Sequence, residues 1–344
     1  MKIVFVNDTF LQGRGADNVI YNLARLLGKK HQVIVLAGET NIKEENFKFI
    51  KIPLNKLFTG KTKDFFYFKN MEKLRRFIYN FHKLEKPDVY NIHHLGLIQA
   101  FKRFNINTFY TWHGSPPSKN FFRQTLVSYF QNMLEHEKVI CISNYLLNEC
   151  KKLGVKWAGV IHEGVDKIKY TPTWEDKDYM LYVGRLEKHK HVEKLIKVSK
   201  ELKIPLKIAG YGTEIDSLRF AAKGEKQIKF LGRVSDEELI KLYQECSFFV
   251  SASEWECFGL IFLEAGCCGK PSILFRIKEM PTIVEHAKTC LISNNYDEFK
   301  CYVDLLWNSK SLRTRMGKKA YEKYKKYTWD KTSKEYEKCL KEIK

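Results

Sequence analysis

Short runs of β-branched and aromatic residues alternate along the chain with stretches whose apolar positions recur every three or four residues. The runs predict strands over Lys2–Asn7, Gln32–Ala37, Phe47–Ile52, Asp88–His93, Thr108–Trp112 and Val139–Ser143. A second set predicts strands over Met180–Val183, Leu206–Ala209, Ile228–Leu231, Phe248–Ser251 and Ser272–Phe275. Between them, Ala16–Leu27 carries Val19, Ile20, Leu23, Leu26 and Leu27 on one helical stripe. Ser235-Asp236-Glu237-Glu238 is a capping box opening a helix to Cys246. Strict alternation of strand and helix predicts parallel α/β construction. The strand pattern restarts after Asp166–Lys177, a charged segment with Pro172 that reads as a linker. The expectation is two doubly wound sheets with a cleft between them, ligands lying at the carboxyl ends of the strands.

Length agrees: 344 residues suggest two domains at roughly 100–200 residues each. Hydrophobic residues at 44% exclude a disordered chain, and no apolar run reaches the roughly 18 residues of a membrane-spanning helix. The apolar run at Met1–Asp8 is too short for a signal peptide and reads as the first strand. The nine cysteines include no Cys-x-x-Cys pair and read as buried, reduced thiols of a cytoplasmic protein.

The net charge of +20 raises the question of a polyanionic partner. Residues 56–86 hold nine basic and three acidic residues among eight aromatics, and residues 310–344 hold thirteen basic and five acidic. Either run can be a solvated face. The first can also lie on anionic lipid or track nucleic acid.

Four clusters at strand ends carry candidate chemistry. In Ser251–Gly266, Glu256 falls in a loop after a strand, and Gly259 leaves a helix N-terminus open to a phosphate. Glu264 lies more than one turn into that helix and needs a partner, either a ribose or, more plainly, a nearby Lys or Arg. After Val183, Arg185 and Lys190 can clamp a diphosphate, while a solvated loop is the plainer reading. His189 and His191 lack a third ligand at suitable spacing, so no metal site is assigned. His113, before Gly114 and Pro116-Pro117, faces the cleft or is a capped core histidine. Gly13-Arg14-Gly15 follows the first strand but is no dinucleotide fingerprint, since Asn18 stands where the third Gly would be. Gly210-Tyr211-Gly212 is a weaker turn of the same kind, and His93-His94 reads as closing a strand.

In order and spacing these motifs resemble the family-4 retaining glycosyltransferases, the glycosyl transferases group 1, over nearly the whole chain. The resemblance rests on Gly15-Ala16-Asp17, Trp112-His113-Gly114, Gly164-Val165-Asp166, Gly184-Arg185-Leu186 with Lys190, Phe230-Leu231-Gly232, and Glu256 with Glu264. It implies the GT-B architecture, two Rossmann-like domains. These would be an acceptor-side domain at 1–166, a nucleotide-sugar donor domain at 167–325, and a last helix at 326–344 crossing back to the first. It implies a metal-independent, hexosyltransferase-type enzyme without cofactor, moving a sugar from a UDP- or GDP-sugar to a lipid-linked or glycan acceptor. Arg185 and Lys190 would bind the diphosphate, Glu264 the ribose and Glu256 the transferred sugar. Gly15, Phe258, Gly259 and Leu260 would lie along the donor, His113 would face donor sugar and acceptor, and Gly232-Arg233-Val234 would meet the base. The acceptor-side domain of such enzymes docks on the cytoplasmic membrane face, a role that residues 56–86 would serve.

The chain departs from the family in places. Lys278-Glu279 replaces a Gly-Gly loop, and Thr282 an expected Glu. Cys290 replaces a Gly near a strand end, His191 the Gly after the diphosphate Lys, and Glu163 the Asn before Gly164. Two other readings compete. One is a degenerate transferase that binds nucleotide sugar or nucleic acid through its basic surface, against which no nucleic-acid recognition motif is present. The other is a GT-B relative such as a sugar epimerase, against which the Glu256/Glu264 pair argues.

Overall fold

The computed structural model describes residues 1–12, 15–54, 64–102, 104–114, 134, 137–277 and 283–343, with backbone alone for 64–70 and 343. The chain forms two compact units, Met1–Glu163 with Trp329–Lys344, and Gly164–Thr328.

The first unit holds a seven-stranded parallel sheet. Its strands are β1 (Lys2–Val6), β2 (Gln32–Ala37), β3 (Lys48–Lys51), β4 (Val89–Ile92), β5 (Thr108–Trp112), β6 (Lys138–Cys141) and β7 (Trp157–Val160), in the order β3-β2-β1-β4-β5-β6-β7. Its helices are α1 (Gly15–Leu27), α2 (Asp64–Glu85), α3 (Asn144–Lys152) and α10 (Trp329–Ile343). Ile3 to Val6 are fully buried, as a strand covered on both faces requires. Val19, Ile20, Leu23 and Leu27 of α1 pack with Trp329, Tyr336 and Leu340 of α10 in one core. Each such side chain contributes about 1.5–3 kcal/mol on burial.

The second unit holds a six-stranded parallel sheet. Its strands are β8 (Met180–Val183), β9 (Leu206–Ala209), β10 (Ile228–Gly232), β11 (Phe248–Ser251), β12 (Ser272–Phe275) and β13 (Cys290–Ser293), in the order β10-β9-β8-β11-β12-β13. Its helices are α4 (Val192–Leu202), α5 (Ile215–Ala221), α6 (Asp236–Glu245), α7 (Leu260–Cys267), α8 (Tyr296–Asn308) and α9 (Lys310–Tyr324). Ser235 caps α6 through a full capping box with Glu238. Both sheets are doubly wound and Rossmann-like. Their strand order reverses between β1 and β4 and between β8 and β11, where such sheets bind ligands.

Three expectations need correction. Asp166–Lys177 is no free linker: Gln244 Nε2 donates to Thr171 O at 2.9 Å, and Arg313 holds Asp176 at 2.6 Å. A half-buried carboxylate paired with a buried guanidinium fixes this segment to the second unit. Cys290 opens β13 instead of ending a strand. The edge strand β7 was not expected, because Trp157-Ala158-Gly159-Val160 is half-exposed and lacks a buried run. Gly13, Arg14, Pro116, Pro117, Lys278, Glu279 and Thr282 lie outside the described residues, so the departures at 278–282 receive no structural account. All nine cysteines are free thiols, and only Cys301 is exposed. Among the described residues, no helix is long and apolar enough to cross a membrane.

Candidate active site

In the second unit the turns after β8, β9 and β10 lie layered on one another. Gly184 N–H donates to Ala209 O at 3.1 Å, and Gly210 N–H to Gly232 O at 2.8 Å. A Cβ on Gly210 would meet Gly184 O at 1.8 Å, so only glycine permits this approach. Beside these turns is a depression of about 570 Å³ lined by Glu187, Tyr211, Thr213, Ile215, Arg219 and Gly232. The Arg233 guanidinium lies 5.8 Å from the centre of the Tyr211 ring, and Val234 is half-buried.

On the other side of the switch point, the loop between β11 and α7 carries Glu256. Lys190 Nζ donates to Glu256 Oε1 at 2.5 Å, joining the loop after β8 to the loop after β11. Each side chain is 14% exposed, so the pair is sheltered but reachable. Glu254 N–H donates to His189 O at 2.9 Å and ties the same loops. Burial, with the charges of Lys190 and Arg185, holds the His189 imidazole down to about 4. The buried Tyr182 hydroxyl feels both Glu256 and Arg185, and it donates to Arg185 O at 2.9 Å. Arg185 itself is exposed. The structure therefore joins Lys190 to Glu256 at the β8/β11 switch point, with Arg185 on the same loop as Lys190.

His191 stands at φ 47°, a left-handed conformation. Such a position favours Gly, at roughly 1 kcal/mol or more per residue. Here the imidazole reaches Glu193 at 2.7 Å and Glu254 at 2.6 Å. Gly259, at φ 86°, precedes the first turn of α7 and permits the sharp entry that Phe258 and Cys257 anchor by burial. Leu260 begins the helix. On α7, half-buried Glu264 accepts from the Tyr243 hydroxyl at 2.9 Å and also bonds Tyr170. Two of its partners are thus phenols, a pairing the sequence reading did not name.

In the first unit Gly15 opens α1 in an exposed position, and among the described residues a Cβ there would have no neighbour within 4 Å. Behind it, Asp17 accepts from Asn7 Nδ2 at 2.6 Å, Thr9 Oγ1 at 3.0 Å and Leu11 N at 2.8 Å, fixing the turn after β1. His113, just past β5, does not stand alone. Its Nε2 lies 2.8 Å from His93 Nδ1, and its Nδ1 lies 3.5 Å from Glu163 Oε1. His93 Nε2 in turn meets Asn91 Oδ1 at 2.6 Å. His93 thus joins a polar chain instead of merely closing a strand.

Sequence reasoning missed His93, Glu163, Tyr211 and Tyr243 as neighbours of the candidate groups. The available signal was polar Asn91 and His93, two apart, on one face of an otherwise apolar strand.

Residues 166–323 match the family described as glycosyl transferases group 1, and residues 13–168 match Glycosyltransferase Family 4. An uncharacterized glycosyltransferase of Methanocaldococcus jannaschii is 32% identical over 200 residues, 57% of this chain and 56% of that protein. O-antigen chain mannosyltransferase B of Escherichia coli is 29% identical over 172 residues, 47% of this chain and 45% of that protein. The chain thus spans about half the length of these curated relatives. The crystal structure of Anabaena Alr3699/HepE in complex with UDP and glucose superposes with a TM-score of 0.79 at 15% identity, covering 99% of each chain. That likeness establishes the GT-B fold.

Proposed function

The chain belongs to the glycosyl transferases group 1, and on that premise we propose that it transfers a hexose from a nucleoside-diphosphate sugar to a lipid-linked or glycan acceptor with retention of configuration. The observation that carries this reading is the Lys190–Glu256 pair at the β8/β11 switch point, with Arg185 on the same loop as Lys190. A diphosphate competes with Glu256 for Lys190 and frees the carboxylate to accept from sugar hydroxyls. Breaking the sugar–phosphate bond builds negative charge on the diphosphate, which Arg185, Lys190 and the start of α7 at Gly259 stabilise. Phe258, Gly259 and Leu260 shape that helix start.

Glu264, held by Tyr243 and Tyr170, keeps a carboxylate oriented for ribose hydroxyls. The depression beside Gly232, Arg233 and Val234 suits the base. From the first unit, this reading assigns Gly15 to the phosphates and His113 to the donor sugar and acceptor. The protein works without a metal or cofactor, and the α2 face docks on an anionic cytoplasmic membrane surface. The Anabaena structure is a complex with UDP and glucose, and the Escherichia coli relative is an O-antigen chain mannosyltransferase; both support this choice of donor and acceptor class.

The test is a binding and transfer panel of nucleotide sugars. Lys190→Ala and Glu264→Ala each weaken binding of the best donor roughly tenfold or more, the usual worth of a charged hydrogen bond. Glu256→Ala abolishes transfer while the fold stays intact. Unchanged affinity in both of the first two variants removes the donor-site assignment, and full activity in the third removes Glu256.

A further inference from the structure

The chain Asn91–His93–His113–Glu163 lies within the first unit and is closed off behind by Thr111 and Tyr336. Asn91 Nδ2 donates to Thr111 Oγ1 at 2.8 Å, and the Tyr336 hydroxyl reaches the same oxygen at 3.2 Å. With the amide so oriented, Asn91 Oδ1 points at His93 Nε2, which must carry the proton. Burial and the neighbouring His113 push the His93 pKa well below its ordinary value, so His93 is neutral and its Nδ1 is a lone pair. That lone pair faces His113 Nε2 at 2.8 Å, so His113 carries a proton there. The other nitrogen of His113 faces Glu163 Oε1 at 3.5 Å, and Glu163 is 5% exposed. Both ring nitrogens of His113 therefore face acceptors. Tyr336 is the further titratable group near Glu163; burial raises its pKa, as does the Glu163 charge, and it stays a neutral phenol.

We propose that Glu163 is a positioning residue that, with His93, holds His113 doubly protonated, so that His113 serves transfer as a fixed cation and not as a proton acceptor. The neutral tautomer would set a lone pair against the Glu163 carboxylate. A ring whose Nε2 is bound to His93 and whose Nδ1 is turned to the Glu163 carboxylate presents neither nitrogen as a base for the acceptor's proton. A preset positive charge suits a reaction that develops negative charge. The role in transfer rests on the function proposed above; the protonation state does not.

The experiment is nitrogen-15 NMR of histidine-labelled protein near neutral pH, with His113 assigned by loss of its signals in His113→Asn. Wild type shows both His113 nitrogens protonated, Glu163→Asp keeps them so, and Glu163→Gln leaves one nitrogen unprotonated with the thermal midpoint nearly unchanged. In transfer assays Glu163→Gln loses turnover roughly tenfold or more while the KM for the nucleotide sugar barely moves, and Glu163→Asp restores part of it. A neutral His113 in wild type, or a protonation state that ignores Glu163→Gln, overturns the proposal. Absence of transfer from every donor overturns the functional reading instead, and the NMR result still decides the state of His113.

Discussion

Asp17 is 1% exposed and accepts three hydrogen bonds, yet burial, with Asp8 adding, pushes its carboxyl up to about 6 from 3.8. A raised folded-state value means the native protein holds this proton more tightly than the unfolded chain does. The stability it brings is full below the unfolded value and is lost as pH rises through the folded one, roughly 3 kcal/mol in all. Between about pH 4 and 7, wild type should therefore lose roughly 2–3 kcal/mol relative to Asp17→Asn in chemical unfolding. A difference that does not change with pH would show that Asp17 titrates normally. At this scale the sequence showed which residue types stood at strand ends. It did not show their partners: Glu264 is held by Tyr243, 21 residues away, and His113 faces Glu163, 50 residues on.

The helices and strands were largely legible, because fully buried parallel strands need continuous apolar runs and amphipathic helices need a stripe. The exceptions have physical causes. β7 is a half-exposed edge, and β13 opens on Cys290 after a turn through His286 and Thr289. Packing between elements was not legible. α7 and α9 approach closely because Gly266 has no side chain: a Cβ there would lie 2.0 Å from the Tyr324 ring. Tyr324 is 2% exposed and its hydroxyl donates to Thr289 Oγ1 at 2.9 Å, so it cannot swing aside. Gly266→Ala should cost about 1–3 kcal/mol by overpacking, read as a lower thermal midpoint. A wild-type midpoint would mean the two helices part without cost.

For the molecule as a whole, the +20 charge divides unequally. In 310–344 many lysines are matched locally, as in Lys323–Glu285, Lys325–Glu322, Lys338–Glu342 and Lys341–Glu337. On α2, Met71, Leu74, Ile78 and Phe81 face the core while Lys73, Arg76 and Lys83 are exposed. Lys83 lies over the Tyr79 ring, and among the described residues Lys73 and Arg76 form no ion pair. The aromatic interleaving is thus split, Phe81 inward and Tyr79 outward, with Phe58 and the side chains of residues 65–69 outside the described set. If this face meets anionic lipid, Lys73→Glu with Arg76→Glu should weaken binding to phosphatidylserine-containing vesicles about tenfold or more, since each basic residue contributes about 1 kcal/mol. Wild-type binding by the double variant would leave α2 as a solvated helix.

The sequence by itself determined where chain direction changes and which types of residue stand at each strand end. Those features follow from local sterics: glycine at tight turns, apolar runs in strands, caps at helix starts. Tertiary structure decided which of those residues meet. It joined Lys190 to Glu256, placed two phenols on Glu264, threaded His93 between Asn91 and His113, and returned α10 to the core of α1. Such contacts depend on the order and register of strands dozens of residues apart, and no local pattern encodes that order.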